Sequence, residues 1–229
     1  MHIMEGFLPH PWWEIWFALS LPVVAYGIYK MNNVIKENRE TLPLLAVAGA
    51  FIFVISSLKL PSVTGSCSHP TGTGIGAILF GPAITSVLSV VVLIYQAVFL
   101  AHGGITTLGA NVFSMGIVGP VVGYLIYKSC AKYGMLFGAF LAGALSDWAT
   151  YAVTSIQLAL AYPAATGGVL ASFKAFLAIF SVTQIPLAIV EGVVTALMFK
   201  YILQMRSDVL VRLNVLSERE SLKLKEAWA

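Results

Sequence analysis

Nowhere does this chain of 229 residues read Gly-x-x-x-x-Gly-Lys-Ser/Thr, so it lacks the phosphate-cradling loop needed to hydrolyse ATP by that route. His-Glu-x-x-His and Gly-x-Ser-x-Gly are missing as well, and with them the signatures of zinc peptidases and serine hydrolases. Charge is scarce: Asp, Glu, Lys and Arg make up 10% of the residues and hydrophobic residues 59%, where soluble domains carry about 25% and roughly 45–50%. That imbalance excludes a soluble catalytic domain and implies a polytopic membrane protein. The two cysteines, Cys67 and Cys130, make no disulfide framework. A net charge of +3 marks no nucleic-acid surface, because the basic residues gather at membrane edges. No Lys or Arg precedes the first apolar run, so the start does not read as a secretory signal peptide. Glu5 stands there instead, and the apolar run begins only at Trp12. The first residues therefore read as a segment that is kept and used.

What is present is a series of apolar runs, each to be compared with the ~20 residues needed to cross a hydrocarbon core of ~30 Å. Residues 12–29 form the first span, with Trp12, Trp13 and Trp16 as an interfacial belt and Pro22 as a kink. A polar segment, 30–41, leads to a second span at 42–60, and a loop rich in Ser, Gly, Thr and Pro covers 61–73. Residues 74–101 are too many for one upright helix and too few for two full ones, and Gly81-Pro82 interrupts them. Further spans follow at 108–127, 135–161 and 173–203, and a charged, helix-prone tail ends the chain. Cytoplasmic loops collect Lys and Arg. Eleven of the thirteen basic residues lie at 30–39, at 128–132 and from 200 to the end, among them Lys223 and Lys225. These groups share one side only if 74–101 crosses twice. The expectation is an all-α bundle of seven transmembrane helices, one of them short and broken, with the N-terminus outside and the C-terminus cytoplasmic. It forms a single domain: an N-terminal segment 1–11, a bundle 12–203 and a tail 204–229. Short or Gly/Pro-broken spans are where transport sites tend to be built.

This topology puts all four histidines, His2, His10, His69 and His102, on the outer face. A free α-amine at Met1, the backbone nitrogen of His2 and its imidazole Nδ1 can all reach one metal ion, through a five-membered and a six-membered chelate ring. Binding through the amide needs that nitrogen deprotonated, which favours Ni(II) and Cu(II) with their square-planar preference. Met1 is expected to be retained, since a bulky residue at position two blocks its removal. In Gly65-Ser66-Cys67-Ser68-His69-Pro70-Thr71-Gly72-Thr73-Gly74, Pro70 confines His69 to an extended backbone. His69 can then supply a fourth nitrogen; an ordinary polar loop with a surface histidine is the alternative. Cys67 is a possible competing ligand, although a small buried thiol is its commoner role. Gln96, His102, Thr106, Thr107 and Asn111 form a polar patch suited to hydrogen-bonding the far nitrogens of ligating imidazoles, or to helix–helix contacts. Asp147 and Glu191 are intramembrane acids, functional candidates of unassigned role. Ala46 and Ala50 lie four apart on one face of the second span, a spacing that lets helices approach closely, within this chain or with a partner.

Met1-His2-Ile3-Met4-Glu5-Gly6-Phe7-Leu8-Pro9, the 65–74 loop and Ala101-His102-Gly103-Gly104-Ile105-Thr106-Thr107-Leu108-Gly109-Ala110-Asn111 together resemble one family. It is the CbiM/NikM family, substrate-specific membrane components of cobalt and nickel energy-coupling factor importers, and the resemblance runs from Met1 to roughly Leu203. The resemblance implies six helices shared with vitamin-specific relatives plus one extra helix at the front. It implies a metal held in a plane by the Met1 amine, the His2 backbone nitrogen, the His2 imidazole and the His69 imidazole. Ser68, Thr71, Gln96, His102 and Asn111 are expected around these ligands. It implies partners too: a transmembrane coupling protein, two cytosolic ATPases and a small separate accessory membrane subunit, with Ala46 and Ala50 facing the coupling protein. Nucleic acid is not among them.

The expectation is a capture subunit for Ni(II) or Co(II), the square plane tilting towards nickel, without an ATPase or catalytic cofactor of its own, in a bacterial or archaeal cell membrane. Two other classes stay open. An intramembrane metalloenzyme would need an open coordination position and a nearby acid or base, for which Glu5 is the candidate. A metal-independent permease would use the histidines on an organic solute.

Overall fold

Residues 1–61 and 65–222 are described by the computed structural model of the chain; Lys223 and Lys225 of the basic tail lie outside the described residues. Helices dominate. α1 (Trp12–Glu37) continues about two turns beyond the apolar run, because Lys30, Lys36 and Glu37 favour helix as well as any apolar residue does. Asn38 then takes an extended backbone and ends it. α2 (Thr41–Ser56) has 16 residues and is apolar almost throughout.

α3 (Thr73–Leu100) contains the break that the sequence announces. Gly81 takes φ 77° and ψ 166°, a region open to glycine alone, and Pro82 brings no N–H to bridge the gap. The break reverses the chain's course. Thr73 begins beside the histidine loop, and near the far end Gln96 Nε2 donates to Ser56 Oγ at 2.7 Å. Leu79, Phe80 and Ile84, around the break, lie with Glu40 and Arg212 at the opposite end of the molecule. The segment thus leaves the histidine end and returns to it.

α4 (Leu108–Asn111) runs through a π-helical stretch, Val112–Val118, into α5 (Gly119–Cys130). α6 (Met135–Ala161) and α7 (Gly168–Met205) make the most extensive helix pair. α7 starts earlier than the expected 173, so the uncharged loop before it is shorter. α8 (Ser207–Arg212) packs Val209 and Leu210 into the core, and Arg212 donates to the Glu40 carboxylate at the start of α2. The first polar segment and the tail therefore share one end.

Four helical stretches among the described residues are long and apolar enough to cross a membrane: Thr73–Leu100, Leu108–Tyr133, Met135–Ala161 and Gly168–Met205. Outward-facing Leu21, Val47, Phe99 and Val182 are all more than 60% exposed, as an exterior solvated by lipid tails requires. Inside, small residues bring backbones together, since lipid gives apolar side chains no reason to prefer each other. A Cβ on Gly109 would lie 2.6 Å from the Phe17 nitrogen, and one on Gly74 would lie 2.8 Å from the Cα of Gly143. Those contacts seat α4 on α1 and the start of α3 on α6.

The all-helix expectation misses one feature. Three short strands, β1 (His2–Ile3), β2 (Leu60–Pro61) and β3 (Ser66–Ser68), form a small antiparallel sheet in the order β1-β3-β2. His2 pairs with Cys67 and Ile3 with Ser66. Met1, Ile3 and Leu8 are buried in a cluster with Trp16, Tyr151, Leu158 and Phe180, so the N-terminal strand is inside the bundle.

Candidate metal centre

The N-terminal strand is held by its backbone. Asn111 reads Ile3 on both sides: the Ile3 N–H donates to Asn111 Oδ1 at 2.8 Å, and Asn111 Nδ2 donates to the Ile3 carbonyl at 3.0 Å. Thr107 Oγ1 donates to the same carbonyl at 2.8 Å. Met4 N–H donates to the Gly65 carbonyl at 2.9 Å and Glu5 N–H to that of Gly103 at 3.2 Å. Residues 1–5 are thereby stitched to both histidine-bearing loops. His2 has one position available, between them.

Three imidazoles meet there. The ring centroids of His2 and His69 are 4.2 Å apart, those of His2 and His102 4.6 Å, and those of His69 and His102 4.7 Å. Two of the rings have one nitrogen committed: His2 Nε2 faces Met115 Sδ at 3.2 Å, and His69 Nδ1 faces the Pro70 carbonyl at 2.8 Å. The other nitrogens, His2 Nδ1, His69 Nε2 and His102 Nε2, are buried without a hydrogen-bond partner. Buried polar atoms are normally paired, so three unpartnered nitrogens on neighbouring rings suit an electrophile. Potential ligand atoms of His2, Cys67, His69 and His102 lie within 4.8 Å of one another.

Electrostatics favours the metal-binding protonation states. Burial, and then each neighbouring imidazole and the N-terminal ammonium, keep His2 well below its ordinary pKa. His69 is depressed likewise, by burial first and then by the ammonium and His102. Burial and the same ammonium bring His102 to about 4. The Met1 amine is itself lowered by burial, an effect that Asp147, Cys67 and Glu191 oppose. All three rings are neutral at physiological pH, the form that offers a lone pair. Burial raises the Cys67 thiol instead and keeps it protonated.

The residues expected around the ligands are close by but differently employed. Ser68 Oγ shares a hydrogen bond with Thr183 Oγ1 at 2.8 Å. Thr71 faces Glu191, which accepts from the Thr71 N–H, from Thr71 Oγ1 at 2.6 Å and from the Gly72 N–H at 2.9 Å. Gln96 turns to Ser56, and its own carbonyl takes the His102 N–H at 3.1 Å. Asn111 clamps the Ile3 backbone, and His102 stands within the imidazole cluster itself. Ala46 and Ala50 are distant from these groups and line an apolar groove of about 410 Å³ between α2 and α3.

Sequence reasoning leaves three residues without a role. Glu191 anchors the backbone at Thr71 and Gly72, just beyond His69, from α7; its signal was its rarity as an intramembrane acid. Met115, one turn past Asn111 in the π-helical stretch, carries no signal in the sequence. Asp147 is fully buried with neither carboxylate oxygen hydrogen-bonded.

A family model described as "Cobalt uptake substrate-specific transmembrane region", CbiM, matches residues 2–209. The chain belongs to the CbiM family. A CbiM protein of Methanosarcina barkeri, named a cobalt transport protein, is 66% identical over 98% of both chains. A protein of Methanocorpusculum labreanum, named a fused cobalt transport protein CbiMQ, is 53% identical; the match covers 96% of this chain and 38% of the fusion. A crystal structure of a truncated transition metal transporter superposes with a TM-score of 0.77 at 29% identity, covering 89% of this chain and 98% of that one. Membership of the CbiM family and the four apolar spans make this chain a multi-pass membrane protein of archaeal or bacterial type, a transport component rather than an enzyme.

Proposed function

We propose that the protein is the metal-capturing subunit of an energy-coupling factor importer for Co(II) or Ni(II). The observation that carries this reading is the set of three buried, unpartnered imidazole nitrogens beside a buried N-terminus. His2 Nδ1 is the nitrogen that closes a six-membered ring with the His2 amide, and it is the free one of the pair. In this reading the Met1 amine, the His2 amide nitrogen, His2 Nδ1 and His69 Nε2 hold the ion in a plane. Capture strips the ion of water and releases the amide proton, so binding strengthens as pH rises. The names of relatives favour cobalt, whereas a four-nitrogen plane by itself favours nickel.

The wider assembly belongs to the same proposal. The bundle crosses the membrane seven times, with the histidine end outside and the basic end, where Arg212 meets Glu40, in the cytoplasm. The reversal at Gly81 supports this count. A transmembrane coupling protein docks at Ala46 and Ala50, two cytosolic ATPases supply the energy, and a small accessory membrane subunit joins them. The fusion of the M. labreanum relative to a second transport component supports such a partnership.

The test is titration of the purified protein with Ni(II) and Co(II), beside a variant with one Gly inserted between Met1 and His2. The insertion keeps every side chain but enlarges the chelate. Loss of high-affinity binding and of the visible spectrum is expected. Unchanged affinity would remove the N-terminal chelate and send the site to the side chains alone.

A further inference from the structure

We infer that His102 is a fifth, axial ligand to the captured ion and tilts the site from nickel towards cobalt. The inference rests on the planar chelate proposed above and deepens it. That plane uses His2 and His69 and leaves the third imidazole unexplained. His102 is 1% exposed, and its Nε2 is buried without a partner. Its ring lies 4.6 Å from that of His2 and 4.7 Å from that of His69, and it meets each edge-on. A residue serving only to orient the other two rings would hydrogen-bond to their far nitrogens, and those face Met115 and Pro70 instead.

The backbone around His102 fixes its place. Ala101 adopts a left-handed conformation, φ 46° and ψ 43°, which costs a residue with a Cβ about 1 kcal/mol or more. That conformation is held by the Gln96 carbonyl, which takes the N–H groups of both Ala101 and His102. Lys59 Nζ donates to the Ala101 carbonyl at 3.2 Å. Gly103 follows at φ 79°, and a Cβ there would lie 3.2 Å from Asn111 Nδ2 and 3.7 Å from the His2 side chain. The loop is pressed against the N-terminal strand with His102 buried beside His2, so a strained backbone serves a ring whose Nε2 has no partner.

The consequence for selectivity is electronic. A low-spin d⁸ ion such as Ni(II) in a strong four-nitrogen plane has a filled orbital along the axis and gains little from a fifth donor. Low-spin d⁷ Co(II) has a single electron in that orbital and binds one axial base readily. An imidazole fixed on the axis therefore adds to Co(II) affinity and little to Ni(II). Cys67 is the rival axial donor by position, but its thiol is turned to the His2 carbonyl at 4.0 Å.

The experiment is electron paramagnetic resonance of the Co(II)-loaded full-length protein, with Co(II) and Ni(II) titrations, for the wild type, His102→Ala, His102→Gln and Cys67→Ser. The wild type is expected to show a low-spin cobalt signal split by one axial nitrogen. Both His102 variants should keep cobalt in the plane and lose that splitting. Their Co(II) affinity should fall about tenfold or more while Ni(II) affinity changes far less. His102→Gln fills the volume without an imidazole and guards against collapse of the cavity in His102→Ala. Cys67→Ser should leave the splitting intact. Splitting that survives without His102, equal losses for both metals, or a sulfur-to-cobalt charge-transfer band that vanishes in Cys67→Ser would each overturn the inference. If His2→Ala still binds Co(II) tightly, the planar chelate itself fails; normal dependence on His2 with no effect of His102 sinks only the axial ligand.

Discussion

The two loops that carry His69 and His102 solve the same problem in different surroundings. Each ties its backbone to a glutamate from a distant part of the chain. In the first, Glu191 of α7 takes the Thr71 and Gly72 amides, fully buried. In the second, Glu5 takes the Thr106 amide and hydroxyl in the open. A carboxylate accepting two or three N–H and O–H bonds is an anchor for the loop, but its worth depends on what replaces it. Water can take over for Glu5 and cannot for Glu191. The His69 loop is therefore fixed by the bundle, while the His102 loop is fixed chiefly by Ala101, Gly103 and the N-terminal strand.

Glu191→Ala should break this comparison hardest. It strands the buried Thr71 and Gly72 amides at about 1–3 kcal/mol each and frees the His69 loop. A lower thermal unfolding midpoint in detergent and at least about tenfold weaker Co(II) or Ni(II) binding are expected. Unchanged metal affinity would show that the loop keeps its shape without Glu191. Acid gives a sharper reading of the same contrast. The imidazoles are depressed in the folded state and ordinary when unfolded, so the unfolded chain binds more protons below about pH 6.5. Stability of the metal-free protein is present above that pH and lost as pH falls, by up to about 1.4 kcal/mol per unit for each imidazole. Both His69 and His102 should titrate below the ordinary imidazole value, His102 at about 4. Histidine side-chain NMR on the metal-free protein checks this, and a ring titrating at about 6.5 would be one that water reaches. Glu5→Gln should have the smallest effect, within about 1 kcal/mol of stability and with metal affinity nearly unchanged. A large loss there would mean that Glu5 is shielded from solvent in the membrane-embedded state.

Much of the fold was legible because lipid imposes simple rules on sequence. Residues 135–161 were bounded to the residue, since Gly134 and Tyr162 interrupt the helix there. Gly81-Pro82 announced the reversal within α3. The ends of α1 and α7 were not legible: helix propensity carries α1 through Lys30 to Glu37, to which hydropathy is blind, and α7 begins five residues earlier, at Gly168, with no capping side chain to mark it. The sheet was hidden because a two-residue strand has no periodicity to detect. In the centre, His2 and His69 were singled out by the N-terminal chelate argument and by Pro70, and the structure brings their rings within 4.2 Å of each other. The employment of Ser68, Thr71, Gln96 and Asn111 does not, because polar side chains choose partners by local distance. Asn111 reads as a helix-end amide in the sequence and becomes a clamp only once Ile3 lies beside it.

The length of α7 has a mechanical consequence. Its 38 residues extend about 57 Å, close to twice the ~30 Å of a hydrocarbon core. Glu191 lies some fourteen residues before the end at Met205, and it accepts from the main-chain amides of Thr71 and Gly72 as well as from the Thr71 hydroxyl. The helix thus joins the end at Met205 to the His69 loop. A thrust or twist applied where α7 emerges at the basic end arrives at Thr71, two residues from His69, with only carboxylate hydrogen bonds between the helix and the loop it moves.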